Sequence, residues 1–290
     1  PRPAPIRALP PFTPSPFKSR LPPMKITTWN INSVRLRIEQ VKRFLKEEAP
    51  DILCLQEIKC LEDNFPAKAI REAGYEHQAV SGQAGYHGVA IVSRLPLKNV
   101  EVRGFCDKGD CRHIAASVAG GIRVHNFDVP AGGDEPDPKK NEKFAHKLDF
   151  LDEMAGWFGE LGPRSKAVLV GDLNVAPTEN DVWSHKQLLK VVSHTPVEVE
   201  KLNAVIASHG WIDVARELIP EPEKLYTWWS YRARDWRASN RGRRLDHIWV
   251  SPALKKPALA LGREAFRIHD DARGWEKPSD HAPVSLKFDL

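Results

Sequence analysis

The chain has 290 residues, 41% apolar and 28% charged, with a formal net charge of +5. That length holds one large α/β domain or two small ones, and the balance is that of an ordinary soluble protein. No run of 18 apolar residues occurs, which excludes a membrane-spanning helix by length. A basic chain invites a nucleic-acid reading until the charges are located. Residues 1 to 23 hold nine of the 24 prolines and four cations, Arg2, Arg7, Lys18 and Arg20, with no acid, so the body carries only +1. Proline removes donors and fixes φ, so this segment is expected to be a disordered leader. It lacks the apolar stretch of a signal peptide and the serine of a transit peptide. Met24 is expected to be the native start, and residues 24 to 290 a single domain.

From Lys25 onward strands and helices alternate. KITTW (25 to 29) predicts a strand and VRLRIEQVKRFLKEEA (34 to 49) an amphipathic helix with Val34, Ile38, Val41 and Leu45 on one face. Pro50 breaks it before the strand DILCLQ (51 to 56). GVAIVSR (88 to 94), CRHIAASVA (111 to 119) and GIRVHNF (121 to 127) supply further strands separated by turns. A helix is expected over 144 to 161, a strand at KAVLV (166 to 170) and a helix near 197 to 208. A loop rich in Trp and Arg precedes the strands LDHIWV (245 to 250) and HAPVSLKF (281 to 288). Short antiparallel turns mix with helical crossovers, which predicts sheets packed face to face inside helices. Cys54, Cys60, Cys106 and Cys111 form no CxxC pair and are expected to be free thiols in a reducing compartment, a Cys106 to Cys111 disulfide being the alternative.

Polar residues interrupt the apolar runs at strand ends. Asn30, Glu57, Asp172 with Asn174, Asp246, and Asp280 with His281 stand at five such ends. Each alone is explained by turn capping. Together, carboxylates and amides with no thiol suit a hard, oxygen-loving cation such as Mg²⁺. An Asp near a His fixes its tautomer and stabilises imidazolium. Metal, water and a cationic imidazole point to phosphodiester hydrolysis.

The stretches TTWNINSVR, PDILCLQE, GYHGVAIVSR, VLVGDLNVAPT, SHGWIDVAR, NRGRRLDHIWVS and EKPSDHAPV resemble, in order and spacing, the exonuclease III family of apurinic/apyrimidinic (AP) endonucleases. The resemblance covers residues 24 to 290 and implies a single nuclease domain with a four-layer α/β/β/α sandwich, two mixed sheets flanked by helices. It implies a cytoplasmic bacterial monomer held at the nucleoid by DNA. The implied activity is Mg²⁺-dependent cleavage (Mn²⁺ as alternative) 5′ to abasic sites in duplex DNA, with 3′ to 5′ exonuclease and 3′-phosphodiesterase action on blocked ends. By position, Glu57 is the implied principal metal ligand, with Asn30 beside it and Asp280 a further contributor. Asp172 is implied to orient or deprotonate the attacking water and Asn174 to bond the phosphate. His281 is implied to contact the phosphate as a charged donor, with Asp246 behind it.

Asp128, in VHNFDVPAGG, stands where the family pattern has a tyrosine whose hydroxyl points at the phosphate. An ionised aspartate donates no such bond and adds like charge. Loss of a comparable donor costs roughly 3 to 4 kcal/mol, about 10² to 10³ in rate. A slowed enzyme is therefore expected; recruitment of another cation by Asp128 is the alternative.

The family's wider relatives include phosphatases and phosphodiesterases of lipids, so the strand ends alone do not name the substrate. Residues 224 to 244 add seven cations against the single acid Asp235, interleaved with Tyr226, Trp228, Trp229, Tyr231 and Trp236. Cations that grip phosphates and rings that stack or wedge suit an abasic-site reader. Trp229, Trp236 and Arg241 are expected near DNA and Trp228 buried. Arg112, Lys147 and Asn180 match further positions near DNA in the family, whereas Tyr86 and His87 are expected to shape a turn. A phosphodiesterase of a non-DNA substrate and a non-catalytic DNA-binding member stay open on the sequence.

Overall fold

The computed structural model describes residues 23–162 and 165–289. Apart from Pro23, the expected leader lies outside the described residues. The strands are β1 (Met24–Asn30), β2 (Ile52–Gln56), β3 (His77–Ser81), β4 (Val89–Ser93), β5 (Lys98–Val102), β6 (His113–Val118) and β7 (Ile122–Asp128). Then come β8 (Ala167–Asp172), β9 (Ile212–Asp213), β10 (Trp228–Trp229), β11 (Gly242–Arg243), β12 (Asp246–Val250), β13 (Phe266–Ile268) and β14 (Val284–Phe288). The helices are α1 (Ile38–Glu47), α2 (Ala67–Glu72), α3 (Glu142–Glu160), α4 (His185–Leu188), α5 (Pro196–His209), α6 (Val214–Leu218), α7 (Trp236–Ser239) and α8 (Lys255–Leu259).

Two six-stranded sheets form, in the orders β13-β14-β1-β2-β4-β3 and β5-β6-β7-β8-β12-β9. Among the described residues, only β1 with β2 and β7 with β8 pair in parallel. The period-2 alternation of strands assigns the layers. Ile52 and Cys54 point inward with Ile26 and Ile91 to meet Ile114, Val168, Val170 and Ile248 of the facing sheet. Leu53 and Leu55 point outward onto Val41, Phe44 and Leu45 of α1 and Ile70 of α2. On the other sheet Leu169 and Trp249 point outward onto Phe150, Met154 and Phe158 of α3 and Leu202 and Val205 of α5. Each such side chain taken from water contributes about 1.5 to 3 kcal/mol. The result is the four-layer α/β/β/α sandwich the sequence predicted.

Some boundaries moved for identifiable reasons. The first helix begins at Ile38 rather than residue 34, because the amides of Ser33 and Val34 donate to the carbonyls of Glu57 and Ile58 (2.8 and 3.2 Å). That pairing ties the exit of β1 to the exit of β2. The third helix begins at Glu142, where Asn141 caps it, and the fifth at Pro196, behind the Thr195/Glu198 capping box. Strands β3 and β5 were not foreseen; β5 is exposed along its whole length, its alternating Val100 and Val102 included. All four cysteines are free. No helix among the described residues is long and apolar enough to cross a membrane.

Candidate active site

Strand register builds the floor of the site. Asp128 ends β7 opposite Asp172, the last residue of β8, and Asp172 stands opposite Asp246, the first of β12. Three aspartates therefore lie side by side on adjacent strands. Gly171 makes the approach possible: its φ is +143°, and a Cβ there would meet the Phe127 carbonyl oxygen at 2.0 Å. From the facing sheet, Asn30 ends β1 and spends its amide group on Glu57 Oε1 (3.0 Å) and Asp172 Oδ2 (2.9 Å). Glu57 leaves β2 with φ +47°, and its other oxygen meets the Lys59 ammonium at 2.8 Å. Beneath them Gln56 donates to Thr28 Oγ1 and Asn126 Oδ1, while Asn126 donates to the carbonyls of Leu55 and Ala90, so the polar floor is bonded across both sheets.

His281 stands before β14 with Nδ1 at 2.9 Å from Asp246 Oδ2 and Nε2 at 3.6 Å from Asp172 Oδ2. Burial opposes its charge, but the carboxylates of Asp246, Asp172 and Asp280 raise it to about 10, so the ring is an imidazolium at neutral pH. Burial also lifts Asp172, to about 7, with His281 pulling the other way. Asp128 is lifted well above the usual carboxylate range by burial, and the neighbouring Glu57 and Asp172 add to this against the pull of Arg112. Oxygens of Glu57, Asp128 and Asp172 lie within 4.8 Å of one another, as do ligand atoms of Asp172, Asp246 and His281. The buried Asp246 Oδ1 has no partner. A set of carboxylate oxygens without thiols fits a hard divalent cation.

Asn174, two residues beyond Asp172, adopts φ +54° because its amide N–H donates to Asp172 Oδ1 (2.9 Å) and its side chain to the Val129 carbonyl (2.9 Å). Asp280 faces other partners: Asn32 donates to Oδ1 (3.0 Å) and the Trp228 indole to Oδ2 (2.9 Å). Burial would raise Asp280, yet His281 and these donors hold it below its ordinary value. Both of its oxygens are thus engaged, and it belongs to neither ligand group.

The remaining sequence candidates separate. Arg112 spans Asp110 Oδ2 (2.6 Å) and Asp128 Oδ2 (3.2 Å), so its charge lies against the very aspartate that departs from the family pattern. Lys147 is a correction: it is wholly buried, paired with Glu198 at 2.5 Å, and has no surface with which to reach a phosphate. Asn180 is half-buried in a single turn, its carbonyl accepting from Leu225, and does not line the cleft.

A cleft of about 900 Å³ opens above the floor, lined by Glu57, Asn174, Asp280 and His281 below and by Trp183, Trp228, Trp229, Arg232, Arg241 and Arg243 at the side. The expected order of the tryptophans is reversed. Trp229 is only 5% exposed, its indole bonded to Asn240 and its ring 5.0 Å from Trp236, whereas Trp228 is half-buried. The cause is the pairing of β10 with β11, which turns Trp229 onto Tyr226 and Ala282. Arg241 extends over Trp183 at 4.7 Å and Arg243 over Trp228 at 5.1 Å. Lys59 and Trp183 were not picked out from sequence; Lys59 had a signal, a cation two residues beyond a strand-end glutamate.

The model of the endonuclease/exonuclease/phosphatase family matches residues 27–281. The chain belongs to that family. Within it, exodeoxyribonuclease III of Haemophilus influenzae is 32% identical over 91% of this chain and all of its own. The DNA repair nuclease APEX1 of Danio rerio is 33% identical over 91% of this chain and 81% of its own. Among solved structures, an AP endonuclease from Archaeoglobus fulgidus has 34% identity and a TM-score of 0.82, covering 92% of this chain and all of that one. The 3′ phosphatase NExo from Neisseria, bound to a product DNA hairpin, has 36% identity and a TM-score of 0.81 over the same shares. These relatives set the family member in its exonuclease III branch.

Proposed function

We propose that this family member is a Mg²⁺-dependent hydrolase of phosphodiesters in duplex DNA. It nicks 5′ to abasic sites and, as a 3′ to 5′ exonuclease and 3′-phosphodiesterase, clears blocked 3′ ends. It acts as a cytoplasmic monomer. The observation that carries the reading is the joint floor: Glu57, Asn30 and His281 from one sheet, and Asp128, Asp172 and Asp246 from the other, with the Asp246–His281 pair joining the two, beneath a wall of Arg and Trp. The names of the relatives, nucleases and repair enzymes of DNA, support the substrate class.

Glu57, with the oxygens of Asp128 and Asp172 close by, would hold the divalent ion, which supplies positive charge for the phosphate and acidifies water, while Asn30 holds the Glu57 and Asp172 carboxylates in place. Asp172, held by Asn30, orients the attacking water and takes its proton. One hydrogen of the Asn174 amide is spent on Val129 and the other is left for a phosphate oxygen. His281, charged and backed by Asp246, meets the negative charge that grows on the phosphate in the transition state. Donors and charges fixed before the substrate arrives need no reorganisation during reaction.

Single-turnover incision of a duplex carrying one tetrahydrofuran abasic analogue tests this, with a 3′-phosphate duplex as second substrate. The expected result is one nick 5′ to the analogue with Mg²⁺ and none with EDTA. Hydrolysis of lipid head groups but not of either duplex would overturn it.

A further inference from the structure

The buried Lys147–Glu198 pair does not enter the chemistry above, yet it lies under it. The Lys147 ammonium has three hydrogens and three acceptors: Glu198 Oε1 (2.5 Å), the Asn174 carbonyl (2.7 Å) and the Ala131 carbonyl (3.3 Å). Those carbonyls belong to different loops. Ala131 lies in the turn that follows Asp128, and Asn174 in the loop that follows Asp172. Glu198 is itself fixed at the start of α5, accepting from the amides of Ser193 (2.9 Å) and Thr195 (3.1 Å) and from the Thr195 hydroxyl (2.7 Å). The stem of Lys147 fits against Gly132, where a Cβ would come 2.9 Å from Cδ. A buried ion pair is a poor source of stability, since desolvation cancels most of the attraction. Its worth here lies in what it holds.

We propose that Lys147 is a positioning residue, a tether anchored on Glu198 that sets the spacing of the loops following Asp128 and Asp172, the second of which presents Asn174 to the phosphate. It acts through the Asn174 carbonyl: a shift there moves the amide meant for the phosphate. The inference rests on the nuclease reading for its rate effect but not for its structural effect.

The test uses the double variant Lys147→Met/Glu198→Leu, which removes both buried charges together, and Lys147→Arg, which keeps the charge and the partner but replaces a three-way donor by a planar fork. Kd is measured for an uncleavable abasic duplex in EDTA, kcat and KM for the cleavable one in Mg²⁺, and amide hydrogen exchange without DNA. Misplacement of order 1 Å costs about 10²-fold, so kcat of the double variant is expected to fall by about that factor. Lys147→Arg is expected to fall by less, Kd in both is expected within about threefold of the parent, and exchange is expected to quicken at residues 129–133 and 173–176. Unchanged kcat and exchange would reduce the pair to packing, and a loss confined to Kd would return the ammonium to the DNA; either overturns the proposal. If the double variant does not fold, Lys147→Arg decides on the same readouts. If the parent cleaves neither duplex, quickened exchange still supports the tether while the nuclease reading fails; unchanged exchange defeats the tether.

Discussion

The floor and the wall of the cleft are built by opposite means. On the floor, Asn30, Asp128, Asp172 and Asp246 are strand-terminal residues of β1, β7, β8 and β12, and the ladders that fix Ile26 against Ile52 or Val168 against Val250 also fix them. On the wall, β10 and β11 are two residues each, so Trp228 and Arg241 are held by stacking and at most a single hydrogen bond, and Arg243 by stacking and two hydrogen bonds to the Val192–Ser193 loop; Trp236, on the single-turn α7, stacks behind Trp229 and does not line the cleft. A floor side chain cannot move without a strand, whereas a wall side chain can move alone. Chemistry that needs fixed distances belongs on the first, and grip on a deformable polymer belongs on the second.

The contrast predicts effects of unequal size. Asp172→Asn keeps the shape of the floor but removes the base, and general-base loss costs about 10² to 10⁴ in rate. Single-turnover incision is expected to fall by about 10³-fold with Kd for the duplex little changed. A fall below tenfold would take Asp172 out of proton transfer. Asp128→Tyr runs the other way. It replaces a buried carboxylate among Glu57 and Asp172 by a hydroxyl donor and frees Arg112 from one of its two carboxylates. A gain of about 10² is expected if the position serves as a transition-state donor. No gain, together with weaker Mg²⁺ binding by calorimetry, would show instead that Asp128 serves the ion.

The same contrast marks what could be read from the letters. The floor was legible because each of its residues breaks an apolar run at a strand end, a signal that depends only on period-2 alternation. Thus Glu57, Asp172 and Asp246 were found in place. The wall was not: nothing in TWWS says which tryptophan pairs with Gly242 across β10 and β11 and so turns inward, and Trp229 rather than Trp228 did. Lys147 misled for a similar reason. Its partner Glu198 is 51 residues away, and no local pattern announces that a lysine on α3 will be taken into the interior. The exposed β5 escaped notice because its alternation is only two valines long, Val100 and Val102, too short to stand out from a loop.

Below the floor, His247 on β12 tests how rigidly the ladder is held. It is buried between Arg244 and the Val175 carbonyl (2.9 Å), and burial, aided by the Arg244 charge, lowers it to about 4. Because the folded value lies below the unfolded one near 6.5, the unfolded chain takes up the proton first. Stability is therefore whole above about pH 6.5 and is lost as pH falls towards 4, by about 2 kcal/mol between pH 7 and 5 for this one ring. Denaturant unfolding at the two pH values is expected to show that loss, and His247→Gln to remove it. An unaltered pH dependence in the variant would mean the ring is hydrated.

Arg241→Ala carries the smallest expected effect and isolates the wall. The guanidinium lies over Trp183 on the cleft side and is exposed, so little folding energy depends on it. If it grips a phosphate, its removal takes away one released counterion. The slope of log K against log salt for the abasic duplex should then become shallower by about 0.9, and affinity near physiological salt should fall several-fold. An affinity loss with an unchanged slope would make the residue a support for Trp183 rather than a phosphate contact. That outcome would bring this part of the wall closer to the floor in character, since its role would be to hold a ring in place.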